Sequence, residues 1–221
     1  MADIIVAGNT SGSITISAPL VAGSGTLTLP NGTDTLIGKA TTDTLTNKSI
    51  AATQLTGTIA AAALPAGSVL QVVSTAKTDT FTSATLGWLD VTGLSVSITP
   101  RSTSSKIMVF GRITGLGTIG ATRMQMRLVR DATAISIGDA ASARLQVSGN
   151  EIYGGADADA LLGSTVFYLD SPATTSASTY KIQVLNGNGV STIYINRTQN
   201  DTNSVITPRA TSSITVMEIQ G

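Results

Sequence analysis

The chain contains no cysteine and no histidine. Without cysteine there is no disulfide, no thiol nucleophile and no thiolate-bound zinc. Without histidine, Ser-His-Asp and Cys-His catalysis and imidazole metal sites are excluded as well. Charge is scarce and balanced, 13 basic against 13 acidic side chains, so there is neither a basic footprint for nucleic acid nor an acidic tail. No apolar run approaches the roughly 20 residues that a membrane helix needs. Residues 1–16 lack the basic and continuously apolar parts of a secretory signal, so synthesis in a cytoplasm without a signal peptide is expected. Five Asn-x-Ser/Thr matches, at Asn9, Asn31, Asn47, Asn196 and Asn200, are read as chance products of a Thr- and Ser-rich composition.

Aromatic residues are few and unevenly placed. Residues 1–66 hold no Phe, Tyr, Trp or Arg, while Phe81, Trp88, Phe110, Tyr153, Phe167, Tyr168, Tyr180 and Tyr194 all lie beyond them. A stretch without large side chains cannot fill a globular core by itself, so its order is expected to come from neighbouring copies. This predicts an extended, β-rich shaft over residues 1–66 and a compact head over residues 67–221.

Within the shaft, Ser13-Ile14-Thr15-Ile16-Ser17 and Thr26-Leu27-Thr28-Leu29 alternate apolar and hydroxylated residues about Gly23-Ser24-Gly25. This period of two predicts strands and a hairpin-like unit over residues 12–30. Thr33-Asp34-Thr35-Leu36 recurs as Thr42-Asp43-Thr44-Leu45, a short echo that biased composition also produces. Residues 51–65 turn Ala-rich, with Leu55, Ile59 and Leu64 spaced for either a short helix or an extended strand.

In the head, residues 69–74, 94–99, 106–111, 122–129, 164–169, 180–185, 192–196 and 213–219 form β-branched or aromatic runs bounded by turn formers. They predict an all-β head, a sandwich of jelly-roll type. Two runs, Ile107-Met108-Val109-Phe110 and Val166-Phe167-Tyr168-Leu169, are apolar on both faces. A strand of this kind needs a cover on each side, either a loop of its own chain or another subunit. Val109, Phe110, Phe167 and Leu169 are therefore the candidate interface residues. By contrast Thr122-Arg123-Met124-Gln125-Met126-Arg127-Leu128 alternates cleanly, with Met124, Met126 and Leu128 on one side and Arg123, Gln125 and Arg127 on the other. The arginines are candidates to grip an anionic sugar or a partner's carboxylate, or are simply solvated.

Carboxylates concentrate at Glu151, Asp157 and Asp159 beside Tyr153, in a Gly-rich segment that reads as an exposed loop. A solvated loop, a receptor contact, and a calcium or glycosidase-type site all remain open there. Trp88 reads as core or interface. No phosphate loop or dinucleotide fingerprint is present, and no catalytic, metal or cofactor site is expected.

Gly25-Thr26-Leu27-Thr28-Leu29-Pro30, Thr42-Asp43-Thr44-Leu45-Thr46-Asn47-Lys48-Ser49-Ile50, Leu55-Thr56-Gly57-Thr58-Ile59 running on to Leu64-Pro65-Ala66-Gly67-Ser68-Val69, and Val91-Thr92-Gly93-Leu94-Ser95-Val96-Ser97-Ile98-Thr99-Pro100 together resemble tail fibre proteins of tailed bacteriophages, particularly those of phages infecting cyanobacteria. Leu128-Val129-Arg130-Asp131 and Leu169-Asp170-Ser171-Pro172 are similar to passages in the heads of such fibres. The resemblance implies a non-enzymatic homotrimer in the virion tail, bound to tail or baseplate proteins by its amino-terminal part. Its carboxy-terminal domain then meets a host surface glycan or outer-membrane component. Family members share no fixed receptor-contacting residues. End loops of the head are the natural contacts, which makes Tyr153, Asp157, Asp159, Asn186 and Asn188 the candidates. A virion decoration or connector protein, and a glycan-cleaving spike using Glu151, are the alternatives.

Overall fold

The computed structural model describes residues 4–7, 11, 13–16, 49–51, 53, 56–57, 59–117, 123–153, 157–187 and 191–221. The chain divides into two units, Met1–Thr56 and Gly57–Gly221. In the first, strand β1 (Ile4–Ala7) pairs antiparallel with β2 (Ser13–Ile16), Ile4 lying opposite Ile16. The alternating run at residues 13–16 is thus a strand, with a partner that its own pattern did not announce. The second half of the expected hairpin, Thr26 to Leu29, and both Thr-Asp-Thr-Leu units lie outside the described residues. In the Ala-rich segment a 3-10 turn over Ala61–Ala63 gives way to extended backbone at Leu64. The division falls before the expected join at residue 67, and residues 67 and 68 are bound to the end of the chain. The Gly67 N–H donates to the Gln220 carbonyl, and the Gln220 N–H to that of Ser68.

The second unit consists of β3 (Val69–Lys77), β4 (Phe81–Ser83), β5 (Gly87–Ile98), β6 (Lys106–Gly117), β7 (Gln125–Arg130), β8 (Thr133–Ile135), β9 (Leu162–Asp170), β10 (Ser178–Asn186), β11 (Ile193–Ile195) and β12 (Ser212–Ile219). No α-helix occurs among the described residues, and the protein is all-β. Every run expected to be a strand in this unit contains one. The two that were missed, β4 and β8, are three residues long, too short to show a period.

The strands form a four-stranded sheet, β5-β10-β7-β8, and a six-stranded sheet, β3-β12-β6-β11-β4, with β9 on the other edge of β6. The two sheets share one core. Leu94, Val96 and Ile98 of β5, Met126 and Leu128 of β7, and Ile182 and Val184 of β10 meet Ile107, Val109 and Ile113 of β6 and Ile214 and Val216 of β12. Each side chain sits at every second position of its strand, which the period of two requires. A part-buried ion pair ties the sheets at one end: Asp170 Oδ2 accepts from Arg130 Nη1 at 2.6 Å and from the Tyr180 hydroxyl at 2.7 Å. Burial, together with the bond to Asp170, raises the Tyr180 phenol well above its ordinary range.

Strand β6 carries β12 along one part of an edge and β11 further on. Asn196 closes this junction. Its Nδ2 donates to the carbonyls of Lys77 and Asp79, both at 2.9 Å, and its Oδ1 accepts from Ser212 Oγ at 2.7 Å. The same Ser212 Oγ accepts from the Thr114 N–H at 3.0 Å. Asn196 adopts a left-handed φ of 60°, a conformation that Asn tolerates better than most residues. Gly115 is required alongside, because a Cβ there would collide with the Tyr194 carbonyl. Asn196 is fully buried, which removes it as a glycosylation acceptor in the folded chain. Replacing Asn196 with Ala strands the buried Lys77 carbonyl and Ser212 hydroxyl and leaves the part-buried Asp79 carbonyl without this donor. The expected loss is roughly 3 kcal/mol of unfolding free energy, measured by urea denaturation; a loss below about 1 kcal/mol would show that the junction holds without the side chain.

Candidate functional site

With the core between the sheets, each sheet turns its other face away from it, and the two outer faces differ in chemistry. On the six-stranded sheet, register places Leu169, Met108, Met217 and Val72 in one cross-strand row and Phe167, Phe110, Thr215 and Ser74 in the next. Phe167 is 66% exposed, Val72 53% and Leu169 48%. Phe110 and Phe167 meet edge to face with ring centroids 5.6 Å apart, the arrangement aromatic quadrupoles favour. A groove of about 180 Å³ runs beside the pair, with Arg112, Thr165 and Ser213 on its far wall.

Of the candidate interface residues, Phe110, Phe167 and Leu169 share this face. Val109 does not. It points the opposite way and is fully buried in the core, so it is corrected from interface candidate to core residue. The reason is the pleat itself, which sends neighbours on one strand to opposite sides.

The outer face of the four-stranded sheet is polar and aromatic. Arg123, Gln125 and Arg127 stand on it, while Met124, Met126 and Leu128 are fully buried beneath. The Arg127 guanidinium lies 4.2 Å from the centre of the Trp88 ring, and its Nε donates to Gln183 Oε1 at 2.7 Å. Gln183 Nε2 in turn donates to Asp90 Oδ1 at 2.7 Å, and Lys181 Nζ to Asp90 Oδ2 at 2.8 Å. Trp88 is therefore not a core residue. It sits half-buried on the outer face, stacked under a cation.

Just before β7, Arg123 Nη1 donates to Glu151 Oε1 at 2.6 Å, and the Arg123 guanidinium lies 4.9 Å from the Tyr153 ring centre. Gln125 Nε2 donates to Glu151 Oε2 at 3.0 Å. Two guanidinium–aromatic stacks thus stand on one sheet face, each with its own cluster of planar hydrogen-bonding groups. The run of Arg and Gln was legible in the sequence. Asp90, Lys181 and Gln183 were not, because their meeting depends on the β5–β10 register, which shifts between Lys181 and Gln183.

The loop candidates separate. Tyr153 is exposed, and Asp157 Oδ1 accepts from the Asp159 N–H at 2.9 Å, closing a local turn. Asp159 Oδ1 accepts from Asn200 Nδ2 at 2.9 Å. Both oxygens of Glu151 are held by Arg123 and Gln125, so each of these carboxylates has a structural role. Ile152, between Glu151 and Tyr153, pairs with Met124 and enters the core, so this part of the segment is stitched to the sheet. Asn186 is corrected: it is fully buried at an inward position of β10, and its Nδ2 donates to the Ser191 carbonyl at 2.8 Å. It closes a turn rather than meeting a receptor. Asn188 lies outside the described residues. Among the described residues no cluster of acidic side chains is arranged to hold a metal ion.

No family model matches the chain, and no curated protein sequence is significantly similar to it.

Burial raises the Asp90 carboxyl, but the hydrogen bonds from Lys181 and Gln183 and the nearby cations outweigh it and hold it below its ordinary value of 3.8. A depressed pKa means that this stabilising contribution is complete above the ordinary value and is lost as pH falls through the lower, folded one. Trp88 is the sole tryptophan and reports on the network directly. On acidification its fluorescence should change with a midpoint below 3.8 and the step should vanish in Asp90→Asn; a midpoint at or above that value contradicts the network.

Proposed function

We propose that this protein is a structural and host-adhesion component of a phage tail, a homotrimeric fibre whose carboxy-terminal β-sandwich, jelly-roll-like in type, meets the host surface. The observation that carries this reading is the apolar outer face of the six-stranded sheet. Monomeric proteins seldom leave a contiguous patch of this kind to water, and such a patch marks a contact with another macromolecule. Covering Phe167, Leu169 and Val72 contributes roughly 3 kcal/mol per copy before the entropy of association is subtracted. A second copy is the favoured cover, because the aromatic-free amino-terminal residues also need neighbours to become ordered.

The sequence resemblance to tail fibres supplies the context, with attachment through the amino-terminal unit to tail or baseplate proteins. Adhesion then works by multivalency. Several weakly binding heads on one fibre raise avidity through effective concentration, without a tight single contact. The polar face of the four-stranded sheet lies across the core from the proposed subunit contact, so it stays available to a ligand when that contact forms.

Antibody fragments raised against the head and applied to particles of the phage that encodes the chain provide the test. The expected result is label at the outer ends of tail fibres and reduced adsorption to cells. Label on the capsid, or heads reached only after the particle is disrupted, would replace the adhesion reading with that of a decoration or connector protein.

A further inference from the structure

We infer that the outer face of the four-stranded sheet binds a carboxylate-bearing oligosaccharide, with the Arg127 guanidinium as the acid-recognising group. This rests on the adhesive reading above and names the chemistry of its ligand. The inference starts from how the arginines are partnered. The half-buried Arg130 and Arg197 each have a carboxylate, Asp170 and Asp201. Arg101, Arg112 and Arg144 have none but are exposed. Among the described residues Arg127 is the one half-buried guanidinium without an ion pair.

Among the described residues its single side-chain hydrogen bond is made by Nε to a neutral amide, Gln183. The nearest carboxylate, Asp90, has its two oxygens committed to Lys181 and Gln183. Partial burial lowers the Arg127 pKa, a sign that the charge is short of compensation where it stands, with Asp90 only partly offsetting the effect. The two terminal nitrogens of Arg127 make no hydrogen bond among the described residues, while the Trp88 ring fixes the plane of the group. A flat, pre-oriented fork with two free donors matches a carboxylate, which it grips with two parallel hydrogen bonds. The two clusters on this face together hold three cations, Arg123, Arg127 and Lys181, against two carboxylates, Asp90 and Glu151, and so favour an anionic ligand.

The surroundings favour a sugar over an acidic peptide. An extended peptide is recognised mainly by adding a strand to a free sheet edge. Here β7 and β10, which carry Arg127, Gln183 and Lys181, are both paired on each side, and only β5 of the strands at the site lies at an edge, so the acid-recognising group is reached through side chains. Those side chains are planar amides and carboxylates already oriented by one another, suited to the paired donors and acceptors of sugar hydroxyls. Tyr153 offers a partly open ring at the far end. Arg123 and Arg127 are four residues apart on extended chain, about 13 Å, a length for several linked sugar rings rather than one.

The test uses the full chain on an array of galacturonate-, glucuronate- and N-acetylneuraminate-containing oligosaccharides. Each is printed beside its neutral methyl ester, with poly-L-glutamate as the peptide probe. At least one acidic sugar should be retained about tenfold better than its ester. Arg127→Gln should abolish that preference and Arg127→Lys should weaken it, both in chains whose circular dichroism shows the β-structure retained. Tyr153→Ala, at an exposed position, should weaken binding several-fold. The inference is overturned if no acidic sugar exceeds its ester, if Arg127→Gln binds like the parent, or if poly-L-glutamate is preferred to every sugar. Mass measured in the same samples separates this from the fibre reading. Sugar binding by single chains would keep the site and remove the trimer, and a trimer indifferent to acidic sugars would do the reverse.

Discussion

Strand β6 is apolar on both faces, and among the described residues the core covers only one of them. Ile107, Val109 and Ile113 are sealed between the sheets, while Met108 and Phe110 emerge on the far side and are extended by Leu169, Phe167, Met217 and Val72 from the adjoining strands. The pleat leaves no local remedy, since any side chain turned away from one face is turned toward the other. A loop folded over the sheet would have resolved this within one molecule. Among the described residues Phe167, Val72 and Leu169 are instead left about half or more exposed, a surface whose covering the hydrophobic effect favours.

The rest of the head is arranged consistently with that division. The Asp170–Arg130–Tyr180 cluster ties the two sheets at one end, and Asn196 locks the place where β12 and β11 both meet β6. These buried polar groups are well partnered, as interior ones must be. They hold the sheets as a firm support for two unlike surfaces, one apolar and one built of stacked guanidinium groups and amides. A rigid support matters for the second surface, because recognition by planar groups depends on their being held in orientation before a ligand arrives.

Much of this was written in the sequence as periodicity. The alternation from Arg123 to Leu128 gave the sides of that run correctly, residue by residue, and the doubly apolar runs at 107–110 and 166–169 marked the strands with an uncovered face. Which of Val109 and Phe110 faced inward was not legible, because period alone does not fix phase when both positions are apolar. The core alternative for Trp88 failed for a related reason: its size argued for burial, whereas its row on β5 puts it half-buried on the outer face under Arg127. Asn186 looked like an ordinary turn residue and is a buried one, since its strand runs on to include it. The Asn196 junction left no local trace at all, as its partners at residues 77, 79 and 212 are distant in the chain and meet only through the sheet.

The central claim is that the apolar face of the six-stranded sheet is covered by further copies of the chain. Sedimentation equilibrium of the full-length protein beside Phe167→Glu tests it most directly. The account predicts three times the chain mass of 22.4 kDa for the parent, and a single-chain mass for the variant with its thermal unfolding intact. A parent that sediments as one chain at all concentrations, or a variant that keeps the parent's mass, would contradict it.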